Sequence, residues 1–228
     1  MIEEQGKTAI ILGATGLTGG KLLELLLNDN RYQRIKVFSR SGLGFQHTRI
    51  QEYLGDLANL KSFAEDFKGD EAFCCIGTTK SKTPDKEVYK NIDYGIPVNA
   101  AQLCKQSGID TFIVISALGA NSDSNIFYNR VKGEMEEAIL KIGITKTHIL
   151  QPSLIGGKRN EKRIGEWLFK KMMKVVNLVL VGSLEKYKSI EPRTIAKAML
   201  WLANNHYENR RVTSDEIKKI AKGDRNRA

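Results

Sequence analysis

The chain has 228 residues, of which 41% are hydrophobic and 27% are charged, and its formal net charge is +10. This composition is typical of a soluble globular protein with one sizeable hydrophobic core. No apolar run approaches the ~20 residues that a membrane span needs, and residues 1–7 lack the core of a signal peptide. We therefore expect a cytoplasmic protein without a transmembrane segment.

The positive net charge favours anionic ligands. No RNA-binding aromatic motif and no zinc-finger spacing indicates a dedicated nucleic-acid binder. The odd number of cysteines, without a C-x-x-C pair, and the scattered histidines predict neither a disulfide framework nor a metal site. These residues are Cys74, Cys75, Cys104, His47, His148 and His206.

A glycine-rich stretch near the N-terminus carries the clearest motif. The apolar run 8–12 is followed by Gly-Ala-Thr-Gly-Leu-Thr-Gly at 13–19 and then by a leucine-rich helical pattern. Gly13 permits a sharp turn, Gly16 lets the backbone approach a pyrophosphate, and Gly19 lets the helix pack against the strand. Although the spacing is one residue off the G-x-G-x-x-G fingerprint, it predicts nucleotide binding at a helix N-terminus.

Strand and helix patterns then alternate along the chain. Further strands are predicted at 35–40, 48–54, 71–76, 111–116 and 147–150. Helices are predicted at 57–67, 87–106 with a possible interruption at Pro97, 126–140, 194–204, and after a plausible N-cap at Ser214. This order predicts an α/β protein with a doubly wound parallel sheet, the Rossmann fold.

The alternation weakens after Pro152. A helix is predicted at 165–176, with an apolar face and several lysines; it either packs on the main domain, closes over the substrate, or contacts a membrane surface. We expect residues 1–228 to form a single domain in which 153–228 contribute a small helical substrate-side lobe. The helices at 87–106 and 126–140 are possible homodimer surfaces.

The end of the second predicted strand bears on the choice of cofactor. Many dinucleotide-binding folds place an acid there to bind the ribose 2′-hydroxyl, whereas this chain has Ser39, Arg40 and Ser41. The planar guanidinium of Arg40 is suited to a 2′-phosphate, so NADP(H) is favoured over NAD.

A candidate catalytic set follows the fifth predicted strand. Tyr128 and Lys132 are four residues apart and therefore lie on one helix face. A neighbouring ammonium group lowers the pKa of a tyrosine, which can then exchange a proton while hydride moves to or from nicotinamide. Ser116, at the end of the strand, could hydrogen-bond a substrate carbonyl or hydroxyl.

Together these motifs resemble the short-chain dehydrogenase/reductase superfamily, in its atypical short branch. The glycine loop, Asp56-Leu57, Ser116 and Tyr128-x-x-x-Lys132 match its pattern in order. Within that branch the chain is similar to the group named for the HIV Tat-interacting protein. That similarity rests on Phe-Cys-Cys-Ile-Gly-Thr-Thr-Lys at 73–80, Tyr-Asn-Arg-Val-Lys-Gly-Glu at 128–134 and Gly-Glu-Trp-Leu at 165–168.

The resemblance implies NADPH binding through residues that follow the cofactor from end to end. The pyrophosphate would contact Gly13, Thr15, Gly16, Leu17 and Thr18, the 2′-phosphate would contact Arg40, and the adenine would lie between Asp56 and Leu57. The path to nicotinamide would follow Cys75, Ile76, Gly77 and Thr78. The nicotinamide ribose would contact Tyr128 and Lys132, and the carboxamide Pro152, Ser153 and Leu154.

Two functions of different classes are consistent with these residues. The first is an NADPH-dependent oxidoreductase that transfers hydride between NADP and a small carbonyl or hydroxyl compound, with Ser116, Tyr128 and Lys132 as its catalytic residues. The alternative is an NADPH-binding, redox-responsive regulator that binds a protein partner without turnover, as described for members of that branch. A nucleoside-sugar epimerase is a weaker third alternative, because the region after Pro152 is short for a substrate domain.

Overall fold

A computed structural model of the protein describes residues 6–156 and 188–223. Its seven strands form one parallel sheet in the order β3-β2-β1-β4-β5-β6-β7. The strands are β1 Lys7–Leu12, β2 Tyr32–Ser39, β3 Ile50–Leu54, β4 Glu71–Cys74, β5 Thr111–Ile115, β6 Lys146–Gln151 and β7 Arg211–Thr213. The helices are α1 Leu17–Leu27, α2 Lys86–Lys90, α3 Ile96–Gln106, α4 Phe127–Ile142, α5 Pro192–Asn204 and α6 Ser214–Lys222.

Two apolar cores, one on each face of the sheet, hold the layers together. On one face α1, α5 and α6 contribute buried residues such as Leu22, Met199 and Ile217. On the other face α3 and α4 pack with residues such as Leu103 and Ile139. Because the inner strands are covered on both faces, their sequences are nearly continuous apolar runs. The predicted doubly wound parallel sheet is confirmed.

Most predicted elements are present with shifted ends, but one strand was not predicted and two local predictions need correction. The strand β7 was not predicted. Its three residues include one buried apolar side chain, Val212, and are too few to show the alternation of apolar and polar residues that indicates a strand. The N-cap of α6 is Thr213 and not Ser214, since Thr213 and Glu216 form a capping box. The predicted helix at 57–67 is a shorter 3₁₀ helix, Leu57–Phe63.

The long helix predicted at 87–106 is interrupted before Pro97. The segment Asn91–Gly95 forms a π-helical turn between α2 and α3, and Pro97 lies in the first turn of α3. Proline has no N–H to offer the carbonyl four residues earlier, which belongs to Asp93, so regular α-helix cannot run through this point. The turn leaves Asp93 fully buried.

The described part of the region after Pro152 completes the sheet and the layer on its α1 face. The helix predicted at 165–176 lies outside the described residues. The substrate-side lobe at 153–228 therefore stays a prediction. In the described part of the chain, no helix is long and apolar enough to cross a bilayer.

Candidate functional site

The glycine loop forms a tight turn between β1 and α1. Gly13 has a φ of +86°, and a Cβ atom there would lie 3.0 Å from the backbone of Cys75. A Cβ atom on Gly19 would lie 2.1 Å from the Gly13 carbonyl oxygen, so only glycine lets α1 come this close to the loop. The first turn of α1 has no side-chain cap and no acidic residue. Its free N–H groups and positive dipole end are available to an anion.

A cavity of about 420 Å³ opens between this loop and α4. Most of the residues predicted to bind the cofactor line it, together with the candidate catalytic residues. These are Thr15, Gly16, Leu17, Thr18, Cys75, Ile76, Gly77, Thr78, Ser116, Tyr128 and Lys132. Among the described residues, Lys82, Asp93, Ile115 and Ile155 also line it, and the sequence analysis missed these four.

A buried ion pair holds Lys132 in this cavity. Its Nζ lies 2.8 Å from Oδ1 of Asp93, and the two side chains are 4% and 1% exposed. The other oxygen of Asp93 accepts a 2.8 Å hydrogen bond from the backbone N–H of Thr78. Burial disfavours the charged form of Lys132, but the Asp93 carboxylate outweighs it and raises the lysine pKa above its ordinary value. Lys132 is thus a fixed positive charge at the cavity wall.

Tyr128 lies one turn before Lys132 on α4 and is 40% exposed. Its ring meets that of Tyr89 edge to face, with centroids 6.5 Å apart. The helix α4 is positioned through Gly133, because a Cβ atom there would lie 2.1 Å from the backbone nitrogen of Ser122. The neighbouring Asn121 N–H donates to the carbonyl of Asn129 at 3.0 Å. The loop after β5 therefore fixes the helix that carries the tyrosine.

Ser116 follows β5 and is bound to a buried carboxylate. Its hydroxyl donates to Oε1 of Glu136 at 2.5 Å, and Glu136 is 1% exposed. The amide of Gln151 donates to both oxygens of Glu136 at 3.0 Å, and Nε of Arg211 donates to Oε2 at 2.7 Å. A carboxylate paired with a guanidinium only accepts hydrogen bonds. The Ser116 proton therefore points at Glu136, and its oxygen lone pairs remain for a ligand.

A second, larger cavity of about 810 Å³ lies beside the first. Ser116 and Tyr128 line both cavities, as do Thr78 and Ile155. Pro152, Ser153 and Leu154, predicted to contact the carboxamide, line the larger one. The hydroxyl of Ser153 donates to the carbonyl of Lys188 and accepts from Ser214.

Three predicted adenosine contacts lie elsewhere. Arg40 is exposed just beyond the end of β2. Asp56 caps the 3₁₀ helix through a 2.9 Å bond from the Ala58 N–H, and Leu57 is 3% exposed in the core. These three are not among the described residues that line either cavity. Their contacts with a cofactor stay predictions.

The three cysteines are free thiols. Burial raises the pKa of Cys74 to about 11, and it also raises the pKa values of Cys75 and Cys104. Such thiols stay protonated at neutral pH and are poor nucleophiles. Within the described ranges, no group of His, Cys, Asp or Glu is arranged to hold a metal ion.

Glu136 was also missed, although its spacing along the predicted helix could have indicated it. It follows Tyr128 by eight residues and Lys132 by four, which places all three on one face of α4. Asp93 could be suspected only once the helix break was known, because the break turns it inward. Lys82 lies in a polar loop whose shape no periodicity describes.

Comparison with known proteins identifies the family. The family model described as NAD(P)H-binding matches residues 13–155, which is more than half of the chain. Rat protein HTATIP2 is 32% identical over 171 residues, covering 73% of this chain and 70% of that protein. Mitochondrial protein FMP52 of Debaryomyces hansenii is 33% identical over 167 residues, covering 72% of this chain and 74% of that protein.

Solved structures agree on the fold. The UDP-glucose 4-epimerase of Thermotoga maritima, solved with UDP-glucose, superposes with a TM-score of 0.68 at 12% identity, over 95% of this chain and 82% of that one. The Bordetella bronchiseptica enzyme WbmG, solved with NAD, gives 0.57 at 14% identity over 77% of this chain. The match spans 62% of WbmG, less than two thirds of its length.

The seven-stranded parallel sheet with its flanking helices matches the fold of these solved structures. The chain belongs to the NAD(P)H-binding family, with rat HTATIP2 and fungal FMP52 among its relatives.

Proposed function

We propose that the protein is an NADPH-dependent oxidoreductase acting on a carbonyl or hydroxyl compound. One observation carries this proposal: Ser116 and Tyr128 line both the cavity at the glycine loop and the larger cavity beside it. A cofactor in the first and a substrate in the second would meet at these two side chains. The family binds NAD(P)H, which supplies a hydride at its nicotinamide ring.

The residues of this chain would handle the proton. In the reduction direction the Tyr128 hydroxyl gives its proton to the substrate oxygen as hydride reaches the carbonyl carbon. A nearby positive charge stabilises the phenolate that remains, and Lys132 supplies that charge. Asp93 keeps the ammonium in place through the 2.8 Å ion pair. The N–H groups at the start of α1 would hold the pyrophosphate.

The preference for NADPH is a further part of the proposal. Arg40 is exposed beyond the end of β2, where an acid would bind the ribose hydroxyls of NAD. A guanidinium there favours a 2′-phosphate through paired hydrogen bonds. We therefore expect NADPH to bind more tightly than NADH, and Arg40→Ala to reduce the difference.

The decisive experiment titrates the protein with NADPH and NADH by calorimetry and then measures NADPH oxidation on a panel of aldehydes and ketones. NADPH should bind at least about ten-fold more tightly, a difference of ~1.4 kcal/mol. Tyr128→Phe should abolish turnover on any active substrate and leave NADPH affinity unchanged. Full activity of this variant would exclude the tyrosine mechanism, and failure of both cofactors to bind would exclude the proposal.

A specific observation also favours the second candidate, an NADPH-binding regulator without turnover. A reductase of this type would use the serine hydroxyl as a donor to the substrate carbonyl, whereas Ser116 donates to Glu136 at 2.5 Å. Loss of one such donor typically lowers the catalytic rate by a factor of about 10²–10³. Absence of turnover together with tight NADPH binding, and protein partners that change between NADPH and NADP⁺, would support this candidate. Identical partners in both states would oppose it.

The location and assembly of the protein are also proposals. We expect a cytoplasmic location, whereas the fungal relatives named FMP52 are called mitochondrial. Cell fractionation would distinguish the two. A homodimer and an additional protein partner stay predictions, which size-exclusion chromatography with light scattering would test first.

A further inference from the structure

The larger cavity has a wall of aromatic rings next to Tyr128. The ring of Tyr89 meets Phe127 with centroids 5.5 Å apart and Tyr128 at 6.5 Å. Across the lining, Ile126 and Leu154 expose 62% and 50% of their surface. A volume of about 810 Å³ is in the range of pockets that enclose whole small molecules. These surfaces fit the apolar body of a ligand.

Among the described residues that line this cavity, the charged side chains are all positive. Lys80 and Lys86 line it, and none of its described lining residues is acidic. The Lys86 ammonium lies 5.7 Å from the centre of the Phe127 ring, so it is held beside the apolar wall. The carboxylate of Asp85, its neighbour in sequence, accepts a 2.9 Å bond from the Val88 N–H at the start of α2.

We infer that the substrate of this site is an apolar carbonyl or hydroxyl compound that also carries an anionic group, bound by Lys80 and Lys86. This inference rests on the proposed function. The reacting carbon would lie at Ser116 and Tyr128, the apolar body against Tyr89 and Phe127, and the anionic group at the two lysines. Two lysines in a cavity whose other described lining residues are uncharged attract an anion and do not attract its neutral analogue.

The chemistry leaves the anionic group unchanged. In the reduction direction the carbonyl carbon gains a hydride from NADPH and its oxygen gains a proton from Tyr128, so that C=O becomes CH–OH. Bound NADPH would supply the hydride and leave as NADP⁺, and Tyr128 would recover its proton from solvent. The anionic group therefore contributes to binding and orientation alone, and it can be tested without turnover.

The test uses two probes of equal chain length that differ in their head group, octanoate and octanol. Their binding to the full-length protein is measured by calorimetry with and without saturating NADPH. Octanoate should bind at least five-fold more tightly than octanol. The double variant Lys80→Met/Lys86→Met should lose this preference and keep its octanol affinity. Leu154→Asp should weaken both probes.

Lys82→Met is the matched control, because Lys82 belongs to the same loop and lines the smaller cavity. It should retain the octanoate preference. Equal binding of the two probes to the unaltered protein, or a preference that survives in the Lys80/Lys86 variant, would overturn the inference. So would failure of both probes to bind.

The outcomes separate this inference from the proposed function. If NADPH binds and is oxidised in a Tyr128-dependent reaction while the protein binds octanoate no more tightly than octanol, only the inferred substrate class is wrong. If NADPH does not bind, the oxidoreductase proposal fails, and the probe measurements on the cofactor-free protein still decide whether the cavity selects anionic apolar ligands.

Discussion

Two carboxylates that the fold buries control the candidate catalytic residues. Asp93 holds the ammonium of Lys132, and Glu136 holds the hydroxyl of Ser116. Each carboxylate has further donors, which are the Thr78 N–H for Asp93 and Gln151 with Arg211 for Glu136. Buried charges persist only when they are paired and hydrogen-bonded. Chemistry and local stability are therefore coupled at this site.

The coupling gives a prediction for Lys132→Met. This change leaves the Asp93 carboxylate buried without its counter-charge, which typically costs about 3–5 kcal/mol. We expect the free energy of unfolding, measured with urea, to fall by about 3 kcal/mol or more. Adding Asp93→Asn should restore most of the loss, because the remaining group is then neutral.

A matched control is the Lys90–Glu134 pair, with its atoms 2.9 Å apart and Lys90 43% exposed. Water screens an exposed pair of this kind, so Lys90→Met should cost no more than about 1 kcal/mol. Equal losses in the two lysine variants would show that the ion pair at Lys132 has no special energetic role.

The sequence indicated some of the residues of this site and did not indicate their partners. Ser116, Tyr128 and Lys132 were predicted as catalytic candidates from their order in the chain and, for the tyrosine and the lysine, from their shared helix face. Spacing also places Glu136 on this face of α4, but it does not indicate which groups the carboxylate contacts. Glu136 meets groups from β6 and β7 and the residue after β5, and long-range contacts of this kind depend on the sheet order.

At the scale of elements, the most informative differences from the sequence occur at helix ends and breaks. The π-helical turn before Pro97 buries Asp93, and the capping box of Thr213 starts α6 directly after β7. Periodicity detects the body of an element and is insensitive to its ends. The six predicted strands are present and have four to eight residues each, whereas β7 has three.

The cap of α6 can be tested with Thr213→Ala. The Thr213 side chain accepts from the backbone of Glu216, whose carboxylate accepts from the Thr213 N–H at 2.7 Å. Loss of such a cap costs about 0.5–2 kcal/mol. We expect thermal unfolding, followed by circular dichroism, to show a loss in this range. Thr213→Ser keeps the capping oxygen, so a similar loss in that variant would contradict the assignment.

At the scale of the whole molecule, stability should depend on pH through His148. This side chain is 2% exposed, its Nδ1 lies 3.0 Å from the carbonyl oxygen of Asn209, and burial lowers its pKa below the ordinary 6.5. The folded state therefore binds this proton less readily than the unfolded state. The stabilisation that comes from a neutral His148 is present above the pKa of this histidine in the unfolded chain. It is lost as the pH falls below about 6.5.

Urea unfolding between about pH 7.5 and 5 should show this loss, at about 1.4 kcal/mol for each unit by which the pKa is lowered. The variant His148→Gln should flatten this part of the profile. His206→Gln is the control, because His206 is exposed, and it should leave the profile unchanged. An identical slope in the His148 variant would assign the dependence to other groups.

The family model matches a shorter part of the chain than the part that builds the hydrophobic core. Matching ends at residue 155, yet Ile195, Met199 and Leu202 of α5 lie in the core beside α1, and Arg211 reaches Glu136 from β7. A chimaera or minimal domain cut at the family boundary would expose this apolar face and leave Glu136 short of a donor. The segment that the family model matches is thus smaller than the unit that folds, and transplanting the cofactor site requires residues 188–223 as well.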